Sequence, residues 1–153
     1  MSATLNTSAS NNQTSTDPLP MDIIVHLQDY GDKFYHEGDF AGTRGEGRRV
    51  EGFQLTFHPP QKGLGMQYMA HLEDIGDVPW VSDGQFVGTR GEARRLEGFA
   101  IKLTGDRASQ YTVQYFAHLG GFGDSGWFMD GQFCGTRGQS RRVEGICVKV
   151  VRK

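Results

Sequence analysis

Apolar and polar side chains alternate along several short segments of the chain. Apolar residues occupy every second position in segments 53–57, 68–72 and 99–103. A period of two turns one face of a strand toward a core and the other toward solvent. Between such segments, SDGQF and GTRGEA supply turn residues, including glycines that adopt positive φ. No long segment has helical periodicity with capping residues, so the pattern predicts an all-β fold.

This pattern occurs three times. The phrase GTRG begins at Gly42, Gly88 and Gly135, which gives a period of 46 and then 47 residues. The similarity covers whole units, as in YMAHLEDIGDVPWVSDGQFVGTRGEARRLEGFAIKL and YFAHLGGFGDSGWFMDGQFCGTRGQSRRVEGICVKV. The first unit is one residue shorter before GTRG. We therefore divide a single domain, 21–153, into repeat 1 (23–63), repeat 2 (66–108) and repeat 3 (111–153).

A repeat of about 45 residues is too short to bury its own apolar face, so three must share one core around an approximate threefold axis. With about four short strands in each repeat, this predicts a β-trefoil, in which three hairpins cap a six-stranded barrel. A three-sided β-prism is the alternative. A propeller of three blades falls below the usual four and would need oligomerisation to close.

Residues 1–20 have a different composition, rich in Ser, Thr and Asn, and we expect a disordered tail there. The tail lacks the basic segment and apolar run of a secretory signal. No apolar run reaches the ~20 residues of a transmembrane helix. We therefore expect a soluble protein that is not inserted into membranes and is either cytoplasmic or released by a route other than Sec.

Charge and cysteine content narrow the possible partners. Sixteen basic and eighteen acidic residues give a net charge of −2, and the acidic residues are interleaved with the arginine pairs, which argues against nucleic acid. Cys134 and Cys147 have no metal-site or redox spacing. Cys134 replaces Ala41 and Val87 of the other repeats and is expected to be a buried free thiol; a disulfide between the two cysteines is the alternative.

The phrase Arg-x-Glu before each closing strand is expected to be structural. Continuing the alternation backward places the glutamate and the arginine two residues before it on the apolar face, where a carboxylate must be paired. The histidine of the opening strand is a natural third partner, and no neighbouring residues complete a zinc motif, so no metal or cofactor is expected. These structural residues are His26, His71, His118, Glu51, Glu97, Glu144, Arg49, Arg95 and Arg142.

The segment from Gly-Asp to the following aromatic residue is the predicted ligand site. Asp accepts hydrogen bonds from vicinal hydroxyls, and an aromatic ring covers the C–H groups of a sugar. The arginine of GTRG lies between two glycines, which exposes a guanidinium that binds hydroxyls or a carboxylate; a solvated turn residue is the equal alternative. The predicted sugar-binding residues are Asp32, Phe34, Tyr35, Arg44, Asp77, Trp80, Arg90, Asp124, Trp127 and Arg137.

The repeat resembles the clostridial hydrophobic repeat with conserved tryptophan, the ChW family. The resemblance rests on the His-containing strand, the glycine, the tryptophan, the Gly-Thr-x-Gly turn and the Arg-Leu-Glu before alternating apolar residues. It implies a cell-surface type of repeat and a β-trefoil-like lectin that binds galactose- or rhamnose-like sugars. The chain departs from the family at Asp32, Asp77 and Asp124, where Gly-Asp replaces Gly-Trp, and at Phe34, which replaces the tryptophan of repeat 1.

We therefore expect a multivalent lectin, a haemagglutinin of up to three related sites that binds cell-surface or cell-wall glycans, with a homo-oligomer possible. Face by face, the site with Phe34 is expected to be the weakest. The alternative is a non-catalytic module that docks on a cell wall or a protein. An enzyme is not expected, because the acid and base of a glycosidase form one asymmetric arrangement rather than three equal ones.

Overall fold

The computed structural model describes residues 17–153, and the strands in this range follow the three repeats. Repeat 1 and the residues just before it form β1 (Met21–Leu27), β2 (Gly31–His36), β3 (Ala41–Gly42) and β4 (Val50–Phe57). Repeat 2 begins with β5 (Gly65–Leu72) and continues with β6 (Gly76–Asp77), β7 (Val81–Ser82), β8 (Phe86–Gly88) and β9 (Leu96–Thr104). Repeat 3 contains β10 (Tyr111–Leu119), β11 (Gly123–Asp124), β12 (Phe128–Met129), β13 (Cys134–Gly135) and β14 (Val143–Arg152). A 3-10 turn at Ala108–Gln110 precedes β10.

Each repeat builds most of one antiparallel sheet and lends one short strand to the sheet of the preceding repeat, with repeat 3 preceding repeat 1 around the ring. The sheet of repeat 1 has the order β2-β1-β4-β8, so its last strand comes from repeat 2. In the same way, β13 of repeat 3 pairs with β9, and β3 of repeat 1 pairs with β14. The exchange is therefore cyclic, and the first repeat completes the sheet of the last.

The lent strands approach their neighbours so closely that glycine is required on both sides. Gly88 lies opposite Gly52, and a Cβ on Gly88, at φ +116°, would overlap the backbone of Glu51 and Gly52. A Cβ on Gly52 would overlap the ring of Phe86. Gly135 opposite Gly98, and Gly42 opposite Gly145, repeat this arrangement. The recurring Glu-Gly and Gly-Thr pairs of the sequence thus mark where one repeat meets the next.

The core lies between the three sheets and is filled by the inward residues of the six long strands. Phe53, Tyr68, Phe99 and Tyr115 form a chain of ring contacts with centroids 5.3–5.5 Å apart. The Tyr68 hydroxyl bonds the backbone of Leu55 in the preceding repeat as well as its own repeat, and burial raises its pKa to about 12. The buried Tyr68 hydroxyl therefore joins repeats 1 and 2 inside the core.

The one-residue difference between repeat 1 and the others lies in the second strand. In repeat 1, β2 pairs with β1 without interruption from Asp22 to Leu27. In repeats 2 and 3 the extra residue divides this strand into two short pieces, and the Val78 and Ser125 N–H groups bond the opposing Ala70 and Ala117 carbonyls. The aromatic residue keeps its place in the register, because Phe34 lies opposite Ile24 and Trp80 directly precedes Val81, which lies opposite Tyr68.

The all-β class and the threefold internal repeat are confirmed, and residues 17–153 contain no α-helix. In this range the strands form three separate sheets and no closed barrel, so the six-stranded barrel expected of a trefoil is not formed. Of the tail expected at 1–20, residues 1–16 lie outside the described residues. Within the described part, the Leu19 N–H bonds the Val150 carbonyl at 2.9 Å. Cys134 and Cys147 are buried and free.

Candidate functional site

The outer surfaces of the three sheets, which we call faces 1, 2 and 3, each carry three rows of side chains that run across the strands. On face 1 the middle row consists of Phe34, Ile24, Gln54 and Phe86. Continuing the strand pairing by one residue gives the corresponding rows, which are Trp80, Met69, Ala100 and Phe133 on face 2, and Trp127, Phe116, Cys147 and Phe40 on face 3. Apart from Gln54 on face 1, the residues of the middle rows are apolar, and the last ring of each row comes from the neighbouring repeat.

The first aromatic ring of each middle row is exposed to solvent. Phe34 is 75% exposed, Trp127 50% and Trp80 39%. On face 3 the row is a continuous aromatic ladder, because Phe116 contacts Trp127 edge to face at 4.9 Å and lies 6.3 Å from Phe40. On face 1 a cleft of about 350 Å³ opens beside Phe34, which is large enough for a small ligand. The faces thus provide apolar surfaces of the kind that cover the C–H groups of a sugar ring.

The row next to the aromatic one contains an ion pair between repeats, which we call the clamp. Arg137 donates from Nε and Nη2 to the two carboxylate oxygens of Asp77, at 3.0 and 2.9 Å. Arg90 binds Asp32 and Arg44 binds Asp124 in the same two-bond arrangement. Since each arginine belongs to the repeat after the aspartate it binds, the three clamps close a ring around the molecule.

Each clamp arginine also stacks on the last ring of its middle row. The guanidinium carbons of Arg44, Arg90 and Arg137 lie 3.7 Å from the ring centroids of Phe40, Phe86 and Phe133. The lent strand and the turn after it therefore contribute an aromatic ring and a guanidinium group to the neighbouring sheet. The ring covers a glycine of the neighbouring repeat, and the guanidinium group binds the aspartate of that repeat.

The clamp continues inward through histidine to a buried glutamate. His71 Nδ1 lies 2.7 Å from Asp77 Oδ1, and its Nε2 lies 3.7 Å from Glu97 Oε1. Arg95 Nε donates to the other oxygen of Glu97 at 2.7 Å. The corresponding chains are Asp32–His26–Glu51–Arg49 and Asp124–His118–Glu144–Arg142; in the second, Arg142 Nε and Glu144 Oε2 form an ion pair at 2.6 Å without hydrogen-bond geometry. Each buried glutamate is thereby paired, as burial of its charge requires.

These contacts change the acidity of the clamp aspartates. For Asp77 and Asp124, hydrogen bonds from the arginine and then the histidine hold the pKa below 3.8, although burial opposes the shift. For Asp32, burial is the largest influence and raises the pKa, but hydrogen bonds from Arg90 and His26 outweigh it and the net shift is downward. The clamp carboxylates are therefore ionised and already engaged by two donors.

The structure brings together most, but not all, of the residues that the sequence singled out. On each face, the predicted aspartate and aromatic residue lie beside a predicted arginine, which comes from the following repeat. Tyr35 is a partial exception, because its side chain packs against the core on the opposite side of β2 from Phe34, although the residue also lines the cleft beside Phe34. The sugar-binding roles of the ten residues stay predictions.

Sequence reasoning missed the phenylalanines at the end of the middle row and the lysines of the third row. The phenylalanines, Phe40, Phe86 and Phe133, recur two residues before each GTRG, and this recurrence was the available signal. Lys102 and Lys149 occupy equivalent positions in β9 and β14, where repeat 1 has Thr56. Each lysine lies over the tryptophan of its face, with Nζ 4.3 Å from the Trp80 centroid and 4.8 Å from the Trp127 centroid.

The three units defined by this geometry coincide with matches to a family described as Clostridial hydrophobic W. The matches cover residues 26–57, 71–105 and 118–152. The chain belongs to the ChW family. No curated protein and no solved structure matches it. Each ChW match begins at a clamp histidine, at His26, His71 or His118, and extends through the closing strand of the repeat.

In this ChW protein the shared residues thus fall into two groups. The glycines, the arginine of GTRG and the Arg-x-Glu phrase join one ChW repeat to the next. The aromatic position supplies the exposed end of the middle row. Within residues 17–153, no helix has the length and apolar character to cross a membrane.

Proposed function

We propose that the protein is a multivalent carbohydrate-binding protein that uses its three outer faces, with galactose- or rhamnose-like sugars of cell-surface or cell-wall glycans as ligands. One observation carries the proposal. On every face, an exposed aromatic ring stands at the end of a mostly apolar row, beside a row of charged hydrogen-bonding groups. Sugars are bound through this combination of an apolar surface and polar groups at its edge.

The clamp suggests which polar atoms a sugar would meet. Both carboxylate oxygens of each aspartate accept bonds from arginine, but the side chains of Asp77 and Arg137 are each 47% exposed, so lone pairs and N–H groups remain accessible. Because arginine and histidine hold the carboxylate in place, a hydroxyl group would meet a preorganised acceptor. Such preorganisation lowers the ordering cost of binding.

Threefold repetition favours binding over catalysis. A single shallow sugar site binds weakly, with Kd on the order of millimolar, or about −4 kcal/mol. Three faces on one rigid body raise the apparent affinity for a clustered glycan without any new contact. A catalytic acid and base would gain nothing from three equal copies, so we propose a non-catalytic role.

The three-sheet arrangement, with one strand of each sheet lent by the next repeat, favours the three-sided β-prism over the trefoil as the description of the fold. In a prism of this kind the outer sheet faces are broad and equivalent. This agrees with the proposal that all three faces bind.

The first test is a glycan array, followed by inhibition of haemagglutination with free sugars. The aromatic positions are the variants of choice, because Phe34, Trp80 and Trp127 are exposed and their loss leaves the core intact. We expect F34A/W80A/W127A to lose glycan binding while its thermal unfolding is little changed. The matched control is Y30A/I75A/F122A, which removes three exposed apolar side chains from the hairpin turns of the same repeats.

Retained glycan binding by the aromatic triple variant would contradict the assignment of the faces. Binding to cells that free sugars do not compete away would favour the alternative, a module that docks on a protein or cell wall. Turnover of a polysaccharide by the purified protein would contradict the non-catalytic role.

A further inference from the structure

The third row of side chains differs in charge between the faces. On face 1 it consists of His36, Asp22 and Thr56. On face 2 the same positions hold Ser82, Gln67 and Lys102, and on face 3 they hold Met129, Gln114 and Lys149. Face 1 therefore carries a carboxylate where the other faces carry an amide, and a hydroxyl where they carry an ammonium group.

The two lysines have no acidic partner. Among residues 17–153, no carboxylate lies within 4.0 Å of either ammonium group. Asp130, which lines the same cleft as Lys102, accepts the Val113 N–H at 3.0 Å. The clamp aspartates of these faces are engaged by arginine and histidine. In the described part of the chain, each ammonium group instead contacts the tryptophan ring beneath it.

This position affects any sugar that stacks on the tryptophan. An Nζ atom 4.3–4.8 Å from the ring centroid occupies the space that a stacked sugar ring requires. The sugar must move the ammonium group aside, and the cation–π contact is lost. A neutral sugar does not replace that contact. A sugar with a negatively charged group does, since the displaced ammonium group then lies beside it and pairs with it.

We infer that faces 2 and 3 bind saccharides that carry an anionic group, a carboxylate or a sulfate, whereas face 1 accepts neutral sugars. The inference rests on the proposed function, because it assumes that sugars stack on the exposed rings. On face 1, no cation of residues 17–153 lies over Phe34, and the carboxylate of Asp22, 3.5 Å from His36 Nδ1, repels an anion. Face 1 is then the weakest site for anionic sugars in particular.

The chain contains two tryptophans, and they belong to faces 2 and 3, so tryptophan fluorescence reports on these faces and not on face 1. The probes are methyl galactoside and the methyl glycoside of galacturonic acid, which carries a free carboxylate at C6 in place of the neutral hydroxymethyl group. A surface ion pair contributes at most about 1 kcal/mol, which converts to about a 5-fold preference for the galacturonate. We expect this preference in the wild type at low salt and a smaller one at high salt.

The variant K102M/K149M keeps the aliphatic stems and removes the charges. We expect it to bind the two probes equally, while K62M, which changes an exposed lysine in the loop before β5, keeps the wild-type preference. F34W/D22Q/T56K should give face 1 the same preference for the galacturonate. This is measured in a W80F/W127F background, in which the tryptophan fluorescence comes from face 1 alone. A 6-sulfated galactoside as a third probe identifies the anion, and a preference for either anion that disappears in K102M/K149M supports the inference.

Equal binding of all probes by the wild type, or an unchanged preference in K102M/K149M, would overturn the inference and leave the proposed function standing. If no glycan of the array and no probe binds to the wild type, both proposals fail together.

Discussion

The clamp between Asp77 and Arg137 allows a quantitative test of how the repeats are joined. R137M removes the guanidinium group but retains an unbranched apolar side chain on Phe133, and D77N removes the negative charge but retains a hydrogen-bonding group for His71. Double-mutant analysis of the two isolates their interaction energy from the other contacts of each residue.

The magnitude follows from the exposure and the geometry. Both side chains are 47% exposed, so the ion pair is screened by solvent and contributes about 0.5–1 kcal/mol despite its two hydrogen bonds. Stacking of Arg137 on Phe133 at 3.7 Å adds about 0.5–1 kcal/mol. We expect R137M to cost about 1–2 kcal/mol, or about 2–8 °C in Tm for a domain of this size.

The assay is urea unfolding of the wild type, the two single variants and the double variant. The coupling energy between D77N and R137M should be about 0.5–1 kcal/mol and should fall with salt. D74N serves as the control, because Asp74 is exposed and its nearest arginine, Arg94, is 3.8 Å away. Additivity of D77N and R137M within about 0.3 kcal/mol would refute the view that the clamp stabilises the junction between repeats.

Three further predictions concern pH, backbone and thiol chemistry. The pKa of each clamp aspartate is lowered in the folded state. The contribution of each aspartate to stability is therefore fully present above pH 3.8 and is lost as pH falls through the lowered pKa. Tm measured from pH 6 to pH 2 should fall less steeply in R44M/R90M/R137M than in the wild type. A93G should raise the free energy of unfolding by about 0.5–1 kcal/mol, because Ala93 adopts φ +55°, which strains a side chain with a Cβ. G47A, at the equivalent position of repeat 1, should lower the free energy of unfolding. A loss of stability in A93G would contradict the prediction. Cys134 should not react with Ellman's reagent at pH 8 in the native protein, because burial of the thiol raises its pKa to about 11. Protein unfolded in urea should release two equivalents of the reagent's chromophore, one for each cysteine. Rapid labelling of native C147S would show that Cys134 is accessible and would contradict the prediction.

Much of the fold could be predicted from the sequence, because its signals are local. Alternation over 99–103 and the spacing of the GTRG phrases require only neighbouring residues and a period, and they indicated the strands and the three units. The barrel was not predictable in this way. Whether strands close into a barrel or form separate sheets depends on which strand β3, β8 and β13 pair with, and nothing in these two- or three-residue strands identifies a partner in another repeat.

The same limit applies to the candidate site. The sequence indicated Asp77 and Arg137 as separate ligand contacts, but they are 60 residues apart and bind each other. Threefold symmetry hides such a partner, since each aspartate has three equivalent arginines to choose from. Lys102 was overlooked because the alternation of β9 marks it only as an outward residue, and its position over Trp80 depends on the pairing of β5 with β9 and β7.

The cyclic lending of strands also bears on how such a molecule limits its own growth. One repeat alone has a strand to give and a sheet edge to fill, and the two are complementary, so copies of it would join head to tail. Contacts of this kind form an open fibre unless the rotation between copies closes. Here the rotation closes after three, and the strand of the first repeat fills the edge of the last. Each edge that could accept a lent strand is therefore filled within the same chain, and the three complementary repeats close on one another instead of continuing to add units.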